Sequence, residues 1–394
     1  MNSVNGKLFE IGDSLMPTYK RFDVEIVSGK GAIAIDVSGK EYIDFGAGIG
    51  VNSLGYADHG WADAISKQAH TLQHTSNLYH TPLQKELARE LCNKTGFASV
   101  FLANSGAEAN ECAIKLARKY SKDKYGAGRS TIITLNNSFH GRTITTLAAS
   151  AQDGLHTNFD PFTPGFFYVP AGDIEALDKA MDGSVCAVML EPVQGEGGVL
   201  PVDTEYLKVL ARLAHKRDVL LIYDEVQTGV GRTGKLYAYE HLGITPDILT
   251  SAKGLGGGLP IGVCMAREKL ANVLSSGSHG STFGGNPVVC AGALYTLSKI
   301  ANEQFLNEVT RKGNLMKTKL EKMQNVKSVR GLGMMIGVEL EKGVSREIAE
   351  KCVENGVLVL TAKSLLRFLP PLNISDEEIE AGLSVVEKVL SEIE

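Results

Sequence analysis

Two residues, Asp224 and Lys253, carry the strongest chemical signal in this 394-residue sequence. Asp224 closes the apolar run Val219 to Tyr223. Twenty-nine residues later Lys253 closes Ile248-Leu249-Thr250-Ser251-Ala252, and Gly254-Leu255-Gly256-Gly257-Gly258 follows it. A lone aspartate is usually a cap or turn residue, and a lone lysine a solvated charge. A lysine at the end of a buried strand, with glycines that admit close approach of a ligand, is suited instead to forming an imine. A phosphate site is also present in pattern. Phe101-Leu102-Ala103-Asn104-Ser105-Gly106-Ala107 passes from strand to helix through a small polar turn, with backbone N–H groups and the Ser105 hydroxyl at the positive helix end. Amine, carboxylate and phosphate cradle together suit pyridoxal phosphate, whose ring nitrogen needs a carboxylate partner if the ring is to accept the electrons of a carbanion.

Two other phosphate motifs nearly match. Gly229-Val230-Gly231-Arg232-Thr233-Gly234 fits GxGxxG and, with Lys235, most of a Walker A loop, but Leu236 stands where Ser or Thr must hold Mg²⁺. The acidic pair Asp224-Glu225 lies too close before the glycines for either nucleotide fold. A net charge of −5 removes the basic excess of a nucleic-acid binder. The longest apolar runs fall well short of the roughly 18 residues of a membrane span, and the polar stretch Met1 to Glu10 lacks signal-peptide character. Six scattered cysteines, without a CxxC pair or zinc spacing, predict reduced thiols and no metal, and the location expected is cytoplasmic.

The elements that must position these residues alternate short apolar runs with helical periods from about Trp61 to Ile300, which predicts an α/β fold with a mostly parallel sheet flanked by helices. Strands are expected at Ser99–Ala103, Thr131–Leu135, Val185–Leu190, Val219–Tyr223, Ile248–Ser251 and Ile261–Ala266. Helices are expected after Thr81-Pro82, over Ala107–Tyr120, after Asp173 and over Tyr206–Lys216. Asn286-Pro287 predicts the start of one long helix reaching about Met323 and bridging two domains. Residues 291–394 are expected to form a smaller α+β domain joined by the amino-terminal segment 1–55, with 56–290 as the large domain.

Six blocks in order give the sequence a family resemblance. They are Asn104-Ser105-Gly106-Ala107-Glu108-Ala109-Asn110, Phe139-His140-Gly141-Arg142-Thr143, Glu191-Pro192-Val193-Gln194-Gly195-Glu196-Gly197-Gly198, Asp224 to Arg232, Ala252 to Gly258, and Gly280-Ser281-Thr282-Phe283-Gly284-Gly285-Asn286-Pro287. The sequence resembles the class III, ornithine aminotransferase-like, pyridoxal-phosphate transaminases, most closely their acetylornithine branch. The resemblance implies fold type I and a homodimer. Lys253 would form the imine and carry the proton, with Asp224 on the pyridinium, Gln227 on the phenolic oxygen and Phe139 stacked on the ring. Ser105, Gly106 and Ala107 would hold the phosphate, Thr282 would complete that site from the other subunit, and Glu191 would support the Asp224 region.

For substrates, the resemblance implies Arg142 on the α-carboxylate of acetylornithine, Arg367 on that of glutamate or 2-oxoglutarate, Glu196 as a removable partner of Arg367, and Ser281 beside the substrate. Ornithine, succinylornithine, succinyl-diaminopimelate and 4-aminobutyrate remain alternative donors, a pyridoxal-phosphate aminomutase an alternative reaction, and an inactive binding protein a non-enzymatic one. The family's Gly-His-x-His-Pro is replaced here by Gly55-Tyr56-Ala57-Asp58-His59.

Overall fold

The computed structural model describes residues 15–393. The Met1–Glu10 stretch, and with it the first part of the amino-terminal segment, lies outside them. Three amino-terminal strands, β1 (Ile26–Lys30), β2 (Ile33–Asp36) and β3 (Glu41–Asp44), form an antiparallel meander. The large sheet contains β4 (Ser99–Ala103), β5 (Thr131–Leu135), β6 (Phe166–Val169) and β7 (Val185–Leu190). After the short pair β8 (Val193–Gln194) and β9 (Leu200–Pro201), it adds β10 (Leu220–Asp224), β11 (Ile248–Ser251) and β12 (Gly262–Ala266). The carboxy-terminal strands are β13 (Val326–Leu332), β14 (Met335–Leu340), β15 (Val357–Leu358), β16 (Leu360–Ala362) and β17 (Leu365–Phe368). Among the described residues, eight helices have ten residues or more. They are α1 (His59–Ala69), α2 (Pro82–Thr95), α3 (Gly106–Tyr125), α4 (Thr204–Arg217), α5 (Pro287–Ile300), α6 (Glu303–Leu320), α7 (Ser345–Glu354) and α8 (Asp376–Ser391).

The large sheet runs β4-β12-β11-β10-β7-β5-β6. Every neighbouring pair is parallel except those of β12, which is antiparallel to both β11 and β4. Because β12 reverses twice, β4 points the same way as β11, and the carboxyl ends of β4, β5, β7, β10 and β11 share one edge. Open α/β sheets bind ligands at that edge. β7 and β10 are buried at every position, which explains why they read as continuous apolar runs.

The chain ends meet through β15, which pairs in parallel with β3 (Val357 opposite Ile43), so the amino-terminal meander joins the carboxy-terminal part of the chain. The Gly229–Gly234 turn, which imitates a phosphate loop, is a structural strap. The buried Arg232 donates from Nη1 to Met334 O (3.1 Å) and Pro370 O (2.6 Å), tying the turn to the carboxy-terminal strands. Tyr56, at the family departure, donates to Asp44 Oδ2 at 2.7 Å, and Asp58 Oδ1 caps α1 by accepting from Trp61 N.

Three expectations need correction or completion. The single helix from Asn286 to Met323 is two helices. Asn302 leaves the helical region (φ −131°, ψ 129°), and its Oδ1 accepts from Gln304 N and Phe305 N, starting α6 afresh. β6 and α1 have no counterpart in the sequence reading. β6 (Phe166–Val169) is a four-residue, half-exposed strand at the sheet edge, and α1 has no fully buried residue although Trp61, Ala64 and Ile65 share its partly buried face. Losing the cap in Asn302→Ala should cost about 1 kcal/mol, read as a lower denaturant midpoint at unchanged slope, whereas Asn302→Asp should hold the midpoint.

Candidate active site

Asp224 ends β10 with 3% exposure, and its carboxylate is held on three sides. Oδ2 accepts from Asn110 Nδ2 (2.7 Å) and pairs with His140 Nδ1 (2.8 Å), while Oδ1 accepts from Val226 N (3.0 Å). Asn110 is itself held. Its Oδ1 accepts from Thr250 Oγ1 (2.7 Å) and its Nδ2 also reaches His140 O (2.7 Å). A buried carboxylate costs free energy unless its lone pairs are satisfied, and here donors come from α3, the loop after β5 and the turn after β10. Asn110 and His140 lie within the sequence blocks, yet neither was assigned a role there. An Asn in a helix and a His beside an aromatic give no sequence signal of their own, and only the fold brings them to Asp224.

The turn after β4 opens α3 with Ser105 as cap. Ser105 Oγ accepts from Glu108 N (3.2 Å), which leaves its proton free, and Glu108 Oε2 accepts from Asn104 N (2.6 Å). Gly106 is needed at this point because a Cβ would sit 2.6 Å from Val226 Cγ1, so the helix start and the turn after Asp224 close on each other. The first N–H groups of α3 are thereby aimed at an anion.

Lys253 follows β11 and adopts φ 41°, a backbone conformation that a non-glycine residue enters only when its surroundings hold it there. Burial lowers the pKa of its ammonium, and so does Arg367, while Glu196, Asp224 and Glu191 pull it back up; the net direction is down. Glu191, after β7, does not bond to Asp224. Its Oε1 accepts from Phe139 N (2.9 Å) and its Oε2 from Gly195 N (3.1 Å), so it positions the Phe139 loop, and burial pushes its carboxyl above the usual range.

A cavity of about 630 Å³ gathers Ser105, Gly106, Ala107, Phe139, Arg142, Glu191, Asp224, Gln227 and Lys253. Tyr19, which sequence reasoning missed, lines it as well. The Arg142 guanidinium lies over the Phe139 ring at 5.5 Å. Arg367, on β17 and 2% exposed, adjoins through Gln227. Its Nη1 pairs with Glu196 Oε1 at 2.6 Å and reaches Gln227 Oε1 at 3.4 Å, while its buried Nε has no partner among the described residues. Burial pushes the Glu196 carboxyl up, but the charge of Arg367 and its hydrogen bond outweigh this and hold it below the usual range. Ser281 and Thr282 are not in this cavity. They line a second one of about 680 Å³ with His74, Asn77 and Leu78, and Ser281 Oγ accepts from Asn104 Nδ2 at 3.1 Å.

The residues present fit pyridoxal phosphate: an amine at one end, a fixed carboxylate deep in the cavity, and a phosphate cradle that a Cβ at Gly106 would close. A mostly parallel sheet with this constellation at its carboxyl edge defines a fold type I pyridoxal-phosphate enzyme. The model of the family described as aminotransferase class-III matches residues 15–390. Over 378 residues the sequence is 51% identical to an acetylornithine aminotransferase from Haemophilus ducreyi, covering 95% of this chain and 96% of that one. Among solved structures, the ornithine aminotransferase of Toxoplasma gondii superposes with a TM-score of 0.92 at 36% identity, covering 96% of this chain and 93% of that one. The N-acetylornithine aminotransferase of Stenotrophomonas maltophilia superposes at 0.83 and 38% identity, covering 95% and 97%. The chain belongs to the class-III aminotransferases, pyridoxal-phosphate-dependent transaminases.

Asn110→Ala removes one of the two side-chain donors on Asp224 Oδ2. A hydrogen bond to a charged group contributes about 1.5–3 kcal/mol. The dissociation constant of pyridoxal phosphate, measured by titrating the apoenzyme, should therefore rise about tenfold to a hundredfold; an unchanged constant would contradict the assignment.

Proposed function

We propose that this enzyme transfers the δ-amino group of N2-acetyl-L-ornithine to 2-oxoglutarate, giving N-acetyl-L-glutamate 5-semialdehyde and L-glutamate, as a cytosolic homodimer serving arginine biosynthesis. The observation that carries the reading is Arg367, a buried guanidinium that among the described residues has one counter-ion, Glu196, and an Nε donor without a partner. With Glu196 in place the arginine is neutralised, and the pocket takes a donor whose reacting end is an uncharged chain bearing an ω-amine. With Glu196 displaced, the guanidinium binds the α-carboxylate of the oxo acid through its planar fork. The same pocket then serves both half-reactions in turn.

When bound, pyridoxal phosphate supplies a carbonyl that takes up the amino group and a ring that accepts the electron pair left by a departing proton. Lys253 would hold it through its Nζ, whose neutral form burial favours, and the same Nζ would serve as the base that accepts the proton of the donor's δ-carbon. Asp224 would pair with the ring nitrogen, Gln227 with the phenolic oxygen, and Phe139 would stack on the ring. Ser105 with the N–H groups of Gly106 and Ala107 would hold the phosphate, while Glu191 keeps Phe139 in place. Arg142 binds the α-carboxylate of acetylornithine.

Thr282 serves the partner subunit's phosphate site, and Ser281 stands beside it near the substrate. Leu78, Tyr79 and Phe283, at 87%, 68% and 61% exposure, give this part of the surface the apolar character of an interface. We assign residues 1–55 and 291–394 to the small domain and 56–290 to the large one, a division supported by the pairing of β3 with β15.

Steady-state rates with 2-oxoglutarate as acceptor test the donor. N2-acetylornithine should give the highest kcat/KM among itself, ornithine, N2-succinylornithine, succinyl-diaminopimelate and 4-aminobutyrate. Faster turnover of unacetylated ornithine would overturn the assignment, and amine migration without any oxo acid would replace transfer by an aminomutase reaction.

A further inference from the structure

The sheet that carries Arg367 grips the Glu196 turn through more than the ion pair. Its order is β13-β14-β17-β16, and the register sets Arg330 of β13 opposite Gly337 of β14, and Gly337 opposite Arg367 of β17. Residues directly opposite one another across antiparallel strands project to the same face, so the two arginines flank a glycine in one row. Gly195 to Val199, the turn joining β8 to β9, lies on that row. Arg330 Nε donates to Gly198 O at 3.0 Å, and Arg367 Nη1 pairs with Glu196 Oε1 at 2.6 Å. Between them, a Cβ at Gly337 would stand 2.8 Å from Val199 Cβ. Each member of the row therefore meets a different residue of the turn.

The turn needs support from outside. Three of the four residues from Gly195 to Gly198 are glycine, the residue with the most backbone freedom to lose. Within the turn, the bonds from Gly198 N and Val199 N to Gly195 O are long, at 3.3 Å each. Its near end is pinned where Gly195 N donates to Glu191 Oε2 (3.1 Å), and Gly197 packs so closely that a Cβ would stand 2.8 Å from Asn137 O. The far end, Gly198, is held by Arg330. Arg330 Nη1 is oriented in turn by Glu339 Oε2 (3.4 Å), and Glu339 also engages Lys327 Nζ (2.7 Å) and Ser328 Oγ (3.1 Å).

We propose that Arg330 is a positioning residue for substrate selection: by fixing the Glu196 turn on the sheet, it sets how readily the carboxylate of an oxo acid displaces Glu196 from Arg367. The inference rests on the reading of Glu196 as the displaceable partner. A counter-ion on a fixed backbone competes with an incoming carboxylate at a high effective concentration, and one on a loose turn competes at a lower one. With the Gly198 bond gone, Glu196 spends more time away and Arg367 is open to the oxo acid. The amine donor loses by the same change, because a buried guanidinium without a partner suits its uncharged chain poorly. Arg330 thus moves the two half-reactions in opposite senses from outside the cavity that holds the substrates.

The test compares Arg330→Met, which keeps an apolar stem and loses the donor, with Arg330→Gln, whose amide nitrogen stands at the same place along the side chain as the arginine Nε. Calorimetry on the holoenzyme with glutarate, a dicarboxylate without a reacting group, reads the competition in the absence of turnover. Arg330→Met should lower the dissociation constant of glutarate several-fold, towards that of Glu196→Gln. In steady state it should lower KM for 2-oxoglutarate and raise KM for the preferred amine donor, and Arg330→Gln should return all three to native values. Parallel changes in the two KM values for Arg330→Met would overturn the role of Arg330. So would an unchanged glutarate constant in Arg330→Met beside a lowered one in Glu196→Gln. A glutarate constant unmoved in Glu196→Gln would overturn the ion-pair reading itself, and this proposal with it.

Discussion

One buried carboxylate sets the geometry around which the cavity is built. Asp224 lies at the end of a strand buried at every position, and charge there is tolerable only because its oxygens are engaged by Asn110, His140 and Val226 N. These donors come from separate parts of the chain, so satisfying the carboxylate fixes α3, the Phe139 loop and the turn after β10 relative to one another. Because Asn110 lies five residues beyond the Ser105 cap on the same helix, the phosphate cradle and the carboxylate are held at a set spacing. Lys253 reaches the same space from β11, the neighbour of β10, and Thr250 of that strand closes the network onto Asn110.

An ion pair adjoins this network. Arg367 is presented by β17, and Glu196 by the segment following β8. Their 2.6 Å pair therefore joins the carboxy-terminal strands to the loops of the large sheet beside Gln227. The Arg232 strap ties the turn after β10 to the strand carrying Arg367 and its neighbour, while β15 pairs with β3 in a separate small sheet.

Much of this was legible in the sequence because the large sheet is buried and mostly parallel. β7, β10 and β11 stand out as apolar runs, and the chemically active residue follows or ends each one. Ser105, Asp173 and Ser375 announce helix starts through side-chain caps that the structure contains. What escaped depends on contacts that composition does not encode. The antiparallel sense of β12 is set by its connection and not by its residues. Asn302 interrupts an otherwise helical stretch by capping, and its apolar neighbours hide the break. His140 and Asn110 acquire meaning only from Asp224, and the bonds from Phe139 N and Gly195 N to Glu191 are visible only in the fold.

The pairing proposed between Asp224 and the ring nitrogen of pyridoxal phosphate is central to this site, and ¹⁵N magnetic resonance of holoenzyme carrying ring-labelled cofactor reads it directly. The account predicts a protonated ring nitrogen in the native enzyme and a deprotonated one in Asp224→Ala. A native spectrum showing a deprotonated nitrogen, or one unmoved by the substitution, would contradict it.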